Sequence, residues 1–252
     1  MLHLAKETLP EGPVSADLHL QAAALNDRLR HHGATDVLRA AVNEIEGLAL
    51  VSSFGAESVV LLHLLAMVDP AVPVLFIDTE MLFTETLVYQ TEVSERLGLT
   101  NLRVIRAADI AAEDPDNTLH LRDTDACCDL RKTRPLERAL APFQAWVTGR
   151  KRFQTADRAN LELFEVDAAG RIKLNPLADW DAKRISEYMD AHDLPRHPMV
   201  AEGFPSLGCA PCTTKVRPGE DPRAGRWRGS DKTECGIHIV DGKIVRGNPQ
   251  AA

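Results

Sequence analysis

Aromatic residues and long hydrophobic runs are scarce in this chain. Phe, Trp and Tyr make up 5% of its 252 residues although 44% of all residues are hydrophobic, a composition that suits one globular α/β domain with an appendage. The longest apolar stretch runs from Val59 to Val68, is interrupted by His63, and is far shorter than the roughly 20 residues that a membrane-spanning helix needs. We therefore expect no membrane association.

A signal for export is also missing. Residues 1–12 mix His3, Lys6, Glu7 and Glu11 with apolar residues, and so lack the uninterrupted apolar segment of a signal peptide. The sequence therefore predicts a cytoplasmic protein, in which cysteines stay reduced and structural disulfides are not expected.

The chain has no overall excess of positive charge. Its formal net charge is −8, which argues against a nucleic-acid partner because a phosphate backbone requires a broad basic surface. Basic residues nevertheless cluster at residues 150–152 and again at 206–228, where five Lys or Arg residues face two acidic ones. An acidic protein with basic clusters suggests a small anionic ligand. For residues 150–152 alone, a solvated loop is an equally good explanation.

Five cysteines are present, and their spacing divides them. Cys127 and Cys128 are adjacent, Cys209 and Cys212 form a Cys-x-x-Cys pair, and Cys235 stands alone. Two pairs can supply four thiolates to one metal centre, which leaves one sulfur free for chemistry. Zinc sites prefer pairs separated by a short turn, so the adjacent pair favours an iron–sulfur cluster such as [4Fe–4S] over zinc. Cysteines that pack as small buried hydrophobic residues remain the alternative.

Helical and strand patterns alternate along most of the chain. Helices are predicted at residues 16–30, 35–45, 83–97, 128–140 and 179–192, and after the turn 53–58 up to residue 68, with Thr35 as an N-cap. Strands are predicted at residues 47–53, 73–78, 102–106 and 145–148, and a short hairpin at 237–245. Such alternation predicts an α/β fold with a mainly parallel sheet, helices on both faces, and a ligand at the carboxyl ends of the strands.

The turn at residues 53–58 connects a buried strand to a helix and is rich in Ser and Gly. Backbone N–H groups of Ser53, Gly55 and Ser58 would point toward an anion at the positive end of the helix dipole. The turn is neither a Walker A loop nor a Rossmann glycine motif, and an ordinary strand-to-helix turn remains the alternative. Glu57 would repel a phosphate if it pointed inward, so we expect it to cap the helix.

Several segments taken together resemble one family. They are the loop 53–58, the strand and helix start at 76–86, the Arg-rich loop 146–154, Asn175-Pro176-Leu177 with Trp180, and Glu234-Cys235-Gly236-Ile237-His238. This combination resembles the adenosine-phosphosulfate and phosphoadenosine-phosphosulfate reductases, a branch of the adenine nucleotide α-hydrolase-like fold. Both cysteine pairs, with Arg131-Lys132, resemble the [4Fe–4S] ligands of the assimilatory adenosine 5′-phosphosulfate reductases.

The resemblance implies a thioredoxin-dependent adenylyl-sulfate reductase of sulfate assimilation and cysteine biosynthesis. Cys235 would be the catalytic nucleophile that takes the sulfonate from adenosine 5′-phosphosulfate, and thioredoxin or a similar dithiol would release sulfite. The implied cluster ligands are Cys127, Cys128, Cys209 and Cys212. The implied substrate-binding residues are Ser53, Gly55, Ser58, Lys132, Arg150, Arg223, Arg226 and His238. Glu80 departs from the family, which often has Gly there, and would place an extra carboxylate near the adenosine pocket.

With this resemblance the chain divides into three parts. We expect residues 1–46 to be a helical segment packed on the core, 47–205 to be the α/β nucleotide-binding core, and 206–252 to hold the Cys-x-x-Cys pair and the catalytic cysteine. The Gly- and Pro-rich stretch at 218–229 predicts a mobile tail, because Cys235 must meet both a bound nucleotide and a protein partner.

The sequence is compatible with two other functions. The enzyme could use the 3′-phosphorylated nucleotide, alone or alongside adenosine 5′-phosphosulfate. A related iron–sulfur fold activates tRNA with ATP and thiolates it, but the motif around Cys235 and the lack of a broad basic surface argue against that reading. The sequence is also compatible with a homo-oligomer.

Overall fold

The computed structural model describes residues 13–229 and forms one six-stranded sheet with helices on both faces. The strands are β1 Leu48–Ser52, β2 Val74–Ile77, β3 Leu102–Ile105, β4 Ala145–Val147, β5 Phe164–Val166 and β6 Ile172–Leu174. The helices are α1 Pro13–Leu29, α2 Ala34–Glu44, α3 Ser58–Val68, α4 Thr84–Arg96, α5 Ile110–Glu113, α6 Leu119–Arg122, α7 Thr124–Cys128, α8 Arg134–Leu140, α9 Ala182–Ala191 and α10 Pro198–Ala201. A π-helical turn, Asp129–Thr133, joins α7 to α8, and single 3-10 turns lie at Arg152–Gln154, Ala156–Arg158 and Ala210–Cys212.

The sheet has the order β3-β2-β1-β4-β6-β5. Every neighbouring pair is parallel except β5 and β6, which are antiparallel. From β1 the chain proceeds outward through β2 and β3, and then returns to the other side of β1 to form β4. The sheet therefore has its topological switch point between β1 and β4, where open α/β sheets bind ligands at the carboxyl ends of the strands.

Alternate side chains of the strands enter two separate cores. Leu48 and Leu50 of β1 belong to the larger core, which α1, α2, α3, α4 and α9 cover, whereas Ala49 faces a smaller core with Leu136 and Leu140 of α8. A strand buried on both faces reads as a continuous apolar run, as the central strands do here. The predicted α/β fold with helices on both faces is thus confirmed.

The outer edge at β5 is covered by a side chain of α1. Asn26 Nδ2 donates a hydrogen bond of 2.8 Å to the carbonyl oxygen of Phe164, and Asn26 Oδ1 accepts one of 2.9 Å from the backbone N–H of the same residue. One amide side chain thus occupies the donor and the acceptor that Phe164 directs away from the sheet.

Several local predictions were wrong. The helix predicted at 128–140 is divided by the π-helical turn, the N-cap of α2 is Gly33 instead of Thr35, and β5 and β6 were not predicted. Within residues 13–229, no helix is both long enough and apolar enough to span a membrane. The predicted mobile tail beyond Gly229, with Cys235, His238 and the hairpin at 237–245, lies outside the described residues.

Candidate functional site

A cleft of about 500 Å³ opens at the carboxyl ends of β1, β2 and β4. Its floor includes Leu50 and Ser52 of β1, Ile77 of β2 and Trp146 of β4, so the cleft lies at the switch point of the sheet. The loops that follow these strands supply its polar walls. A cavity of this size suits a small-molecule ligand.

The turn after β1 forms one wall of the cleft and is held from within. Ser58 Oγ accepts a hydrogen bond of 3.0 Å from the backbone N–H of Gly55. Phe54 has the left-handed φ of 46°, and its fully buried ring packs edge-on against Phe76 with ring centroids 5.3 Å apart. Ser53, Gly55 and Ser58 all line the cleft, at the N-terminus of α3. The loop is therefore fixed with its backbone beside the cleft, as an anion site requires.

Glu57 occupies the N-cap position of α3, as expected, but its side chain makes no capping hydrogen bond. Its carboxylate instead accepts a 2.7 Å hydrogen bond from Lys151 Nζ, and both residues line the cleft. The ion pair joins the loop after β1 to the loop after β4. The carboxylate next to the phosphate loop is thus neutralised by a lysine, because the two loops meet in the fold.

The basic cluster at residues 150–152 splits in three directions. Arg150 is buried, pairs with Glu165, and donates a 3.1 Å hydrogen bond from Nε to Asn175 Oδ1. Lys151 pairs with Glu57, and Arg152 turns outward to Asp179. Arg150 and Lys151 line the cleft, so the residues are not a merely solvated loop.

Two further basic residues of the cleft, Lys151 and Arg158, were not among the predicted site residues. Burial lowers the pKa of Lys151, the nearby positive charges of Arg158 and Arg223 act in the same direction, and the carboxylate of Glu57 opposes them. Arg158 and Arg223 therefore lie close enough to Lys151 to act on it, and all three side chains line the cleft. The sequence signal for Lys151 was its place beside Arg150, whereas Arg158 carried none.

The basic segment near residue 220 contributes two side chains to the cleft. Arg223 and Arg226 line it, as predicted. Arg228 pairs with Glu220 at 2.8 Å, and Lys215 lies near Glu202, so these two basic side chains interact with carboxylates outside the cleft walls. Backbone hydrogen bonds of 2.8 Å from Thr214 to Gly225 and of 3.0 Å from Trp227 to Cys212 fold the segment back on itself. This folding places the two arginines over the cleft.

Beside the cleft, both predicted cysteine pairs line one small cavity of about 10 Å³. Asp123 caps α7 through hydrogen bonds of 3.0 and 2.9 Å from the backbone N–H groups of Asp125 and Ala126. This helix ends with the adjacent pair, and the second pair flanks the 3-10 turn Ala210–Cys212, with Cys209 as its N-cap and Cys212 as its last residue. The four side chains brought together are Cys127, Cys128, Cys209 and Cys212.

None of these four cysteines forms a disulfide within the described part of the chain, and Cys127, Cys128 and Cys209 are buried whereas Cys212 is half-buried. Burial raises the pKa of Cys127 to about 11, and the neighbouring sulfurs of Cys128 and Cys209 add to the shift. Thr79 Oγ1 lies 3.2 Å from Cys209 Sγ. Among residues 13–229, no three His, Cys, Asp or Glu side chains are grouped as the ligands of a metal ion. The four sulfurs thus surround a cavity and do not converge on one point.

Arg131 and His120 complete the wall of the cysteine cavity. The Arg131 side chain is buried, pairs with Asp114 at 2.8 Å, and donates a 2.9 Å hydrogen bond to the carbonyl oxygen of Thr79. In the part of the chain that the structure describes, Arg131 Nε and His120 Nδ1 are buried and have no hydrogen-bond partner. Unsatisfied buried nitrogens are rare in proteins, and two of them here indicate a site built to contact a polar group.

Three residues form a wall that the cleft and the cysteine cavity share. Lys132, Arg226 and Trp227 line both spaces, and all have little or moderate exposure to solvent. Lys132 follows Cys128 through the π-helical turn, a rare element that occurs often at functional sites. Lys132, which the resemblance implies as a substrate-binding residue, therefore lies beside the cysteines as well as the cleft.

Glu80 does not reach the cleft. Its side chain is exposed and its backbone has the left-handed φ of 59°, a conformation that favours glycine. Thr79, its neighbour, does line the cleft. The expected extra carboxylate near the nucleotide pocket is therefore absent from the cleft walls of the described residues. Of the remaining predicted site residues, Cys235 and His238 lie outside the described part of the chain.

The chain resembles proteins of known activity over most of its length. The family model for the phosphoadenosine phosphosulfate reductase domain matches residues 47–215. A protein of Chelativorans sp. named adenosine 5′-phosphosulfate reductase is 47% identical over 232 residues, which cover 90% of this chain and 94% of that protein. A protein of Mesorhizobium japonicum with the same name is 49% identical over 223 residues, which cover 87% of each.

A solved structure has the same fold. The crystal structure of phosphoadenylyl-sulfate reductase from Candida auris, in its phosphate complex, superposes with a TM-score of 0.69 at 25% sequence identity. The superposition covers 84% of this chain and 100% of that one. The match to the family model, at residues 47–215, spans both the phosphate loop and the two cysteine pairs.

Proposed function

The chain belongs to the phosphoadenosine phosphosulfate reductase family, and on this basis we propose that it reduces adenosine 5′-phosphosulfate to sulfite and AMP in sulfate assimilation. The observation that carries the proposal is the shared wall of Lys132, Arg226 and Trp227 between the cleft and the cysteine cavity. It brings the basic side chains of the cleft next to four cysteines, three of which are buried. The names of the most similar relatives support the same activity.

The cleft suits a sulfated nucleotide because its polar walls are basic on several sides. The phosphate loop offers backbone N–H groups at the N-terminus of α3, an 11-residue helix whose dipole favours an anion. Lys132, Arg223 and Arg226 line the same cleft and would balance the charge of the phosphosulfate. Apolar residues of the strands, such as Leu50 and Ile77, leave room for the uncharged part of the ligand.

The proposed chemistry uses Cys235 as the nucleophile. Its thiolate attacks the sulfur of the phosphosulfate, an S–S bond forms, and the bond from sulfur to the phosphate oxygen breaks, so that AMP leaves and the sulfonate stays on the enzyme. A dithiol of the thioredoxin class then attacks the Cys235 sulfur, sulfite leaves with the bonding electrons, and the dithiol is oxidised to a disulfide as Cys235 is regenerated. A free thiol has a pKa of about 8.5, so basic neighbours are needed to raise the thiolate fraction.

We also propose that Cys127, Cys128, Cys209 and Cys212 hold a [4Fe–4S] cluster. Four thiols around one cavity are the donor set that such a cluster requires, and the unpartnered Arg131 Nε and His120 Nδ1 suit hydrogen bonds to sulfur. When bound, the cluster would supply an electrostatic partner for Lys132, with no electron-transfer step required. Lys132 itself would hold its charge between the cysteines and the phosphosulfate.

The proposal is tested by trapping the enzyme before reduction. The purified protein is mixed with adenosine 5′-phosphosulfate without any thiol reductant, and its cysteine peptides are examined by mass spectrometry. We expect one sulfonate group on Cys235 and none on the paired cysteines. The Cys235→Ser variant is the matched control and should gain no adduct. An iron-replete sample that gains no sulfonate, or gains it on another cysteine, would falsify the mechanism.

The second candidate substrate is the 3′-phosphorylated nucleotide. Its support is the Candida auris structure, whose name is phosphoadenylyl-sulfate reductase and which this chain matches over 84% of its length. Rates of sulfite release from the two nucleotides, measured under identical conditions, decide between them. We expect the faster rate with adenosine 5′-phosphosulfate, and equal rates would indicate a dual-specificity enzyme.

A further inference from the structure

Arg226 is held in the shared wall by contacts on two sides. Its Nη1 donates a 2.6 Å hydrogen bond to the carbonyl oxygen of Leu207, and its Cζ lies 4.4 Å from the centroid of the Trp227 ring. Leu207 immediately precedes Gly208 and Cys209, so the guanidinium runs alongside the backbone that leads into the second cysteine pair.

Gly208 leaves the space that the guanidinium occupies. A Cβ built on Gly208 would lie 2.4 Å from Arg226 Nη2 and 2.6 Å from Arg226 Cζ, distances at which one group must move. The φ of Gly208 is not in the left-handed region, so its backbone would accept alanine. The need for glycine therefore comes from the close approach of Arg226 alone.

We propose that Gly208 is a positioning residue: its missing side chain lets Arg226 lie flat against the backbone, with its charge between the cysteine cavity and the cleft. The proposal rests on the proposed function, in which Arg226 helps to bind the phosphosulfate. It adds to that function the residue, Gly208, that determines the position of the Arg226 guanidinium.

Two glycines of this region, Gly208 and Gly225, predict opposite kinds of defect. At Gly208 the clashing atoms are the end of a flexible side chain, so an added methyl group displaces the guanidinium and leaves the fold intact. At Gly225 a Cβ would lie 2.1 Å from the backbone carbonyl oxygen of Thr214, and that oxygen cannot swing away. Gly208→Ala should therefore change the site, and Gly225→Ala should change stability.

The first experiment compares the two variants with Gly33→Ala, whose Cβ would have only an ordinary contact of 4.0 Å with Asp36. Steady-state kinetics, AMP affinity by calorimetry, iron content and melting temperature are measured for each protein. We expect Gly208→Ala to lose about tenfold or more in kcat/KM and to bind AMP more weakly, with an unchanged melting temperature. Gly225→Ala should melt at a lower temperature, and Gly33→Ala, at the N-cap of α2 and outside the cleft walls, should keep the wild-type kcat/KM and AMP affinity.

The second experiment is a double-mutant cycle with Arg226→Ala. Once the guanidinium is removed, Gly208→Ala has nothing to displace, and its additional effect on kcat/KM should fall below about twofold. The same fold loss in both backgrounds, or a Gly208→Ala protein with wild-type kinetics and AMP affinity, overturns the proposal. The two failures are distinguishable, because a wild-type protein that forms no sulfonate adduct contradicts the proposed function, whereas a Gly208→Ala protein with wild-type kinetics and AMP affinity contradicts only this inference.

Discussion

Lys173 is a lysine placed inside the sheet, on the central residue of β6. It is 5% exposed, and its Nζ lies 4.7 Å from the centroid of the Trp146 ring on the neighbouring strand. Burial lowers the pKa of Lys173 to about 7, and the positive charge of Arg150 contributes to the same shift. Trp146 forms part of the cleft floor and donates a 2.9 Å hydrogen bond to Asp167. Lys173 therefore packs against Trp146 of the cleft floor, and its burial is unfavourable for the charged form of the amine.

Replacement of Lys173 by methionine should stabilise the protein at neutral pH. Between the folded pKa of about 7 and an unfolded pKa of about 10.4, the unfolded chain binds a proton that the folded chain does not, so wild-type stability falls as the pH drops toward 7. We expect Lys173→Met to raise the free energy of unfolding at pH 7 by about 1–2 kcal/mol, because an apolar side chain of similar size replaces the buried amine.

Urea unfolding at pH 7, 8 and 9 measures this effect. The advantage of the methionine variant should shrink as the pH rises, since the wild type recovers stability over this range. Lys183 of α9, an exposed lysine, provides the control, and Lys183→Met should leave the free energy of unfolding unchanged. A Lys173→Met protein that is less stable than the wild type at pH 7 would contradict this account.

At the scale of elements, His197 fixes the start of α10 against α4. Its Nδ1 accepts a 3.2 Å hydrogen bond from the backbone N–H of Met199, and its Nε2 lies 3.0 Å from Thr86 Oγ1 of α4. A ring that accepts at Nδ1 must be neutral there, because a proton on that nitrogen would face another N–H group. Burial accordingly lowers the pKa of His197 to about 4, against a smaller opposing effect of Glu85.

This cap predicts a loss of stability in mild acid. From pH 6.5 down to about pH 4 the unfolded chain takes up a proton at residue 197 and the folded chain does not, so stability decreases as the pH falls through this window. In the His197→Asn variant, Asn can still accept the capping hydrogen bond but has no titrating group. The loss of about 2–3 kcal/mol in the free energy of unfolding between pH 6.5 and pH 4 should therefore be absent from this variant. Thermal unfolding of both proteins at several pH values tests it. If the melting temperatures of the wild type and the variant change with pH in parallel, His197 is not the source of the pH dependence.

The sequence predicted those elements whose pattern repeats within a few residues. β1 to β4 and the helices α1 to α4 and α9 follow from hydrophobic periodicity, which is a local signal. β5 and β6 are three residues each and are too short to show a period, and β6 carries the buried Lys173. The division of the helix at 128–140 also escaped prediction, because a π-helical turn has no sequence rule comparable to a cap.

The candidate site could be predicted wherever a residue belongs to a recognisable motif. Ser53, Arg150, Arg223 and the paired cysteines were found in this way, and all line the cleft or the cysteine cavity. Residues that matter because of a contact between distant segments could not be found. The Glu57–Lys151 ion pair spans a sequence separation of 94, and Gly208 has a role only because Arg226 returns beside it.

At the scale of the whole molecule, the site is assembled from segments far apart in the chain. The loops after β1 and β4, the region 124–134 and the region 205–227 all meet at the cleft or the cysteine cavity. The region 205–227 contains no helix longer than one turn, and it is held to the core by bonds such as the 2.7 Å hydrogen bond from Ala210 to Met81. A metal cluster bound by both cysteine pairs would join this region to α7 covalently.

Loss of one cysteine ligand should therefore affect the whole molecule. Cys209→Ser is expected to lose its iron and to melt about 5–10 °C below the wild type, because the free energy of metal binding contributes to folding. Cys235→Ser is the matched control, and should keep both its iron and its melting temperature. Iron and sulfide analysis combined with calorimetry provides the measurement. A Cys209→Ser protein with full iron content would show that this sulfur is not a ligand.

The Asn26 side chain covers the edge of the sheet at β5. The exposed edge of a sheet invites another extended chain to add to it, and such growth leads to fibrils. At Phe164 both outward-facing backbone groups are already bound by the Asn26 amide, so a stray polypeptide would first have to displace α1 to add there. The side-chain amide of Asn26 therefore opposes the addition of a further strand to the sheet at β5.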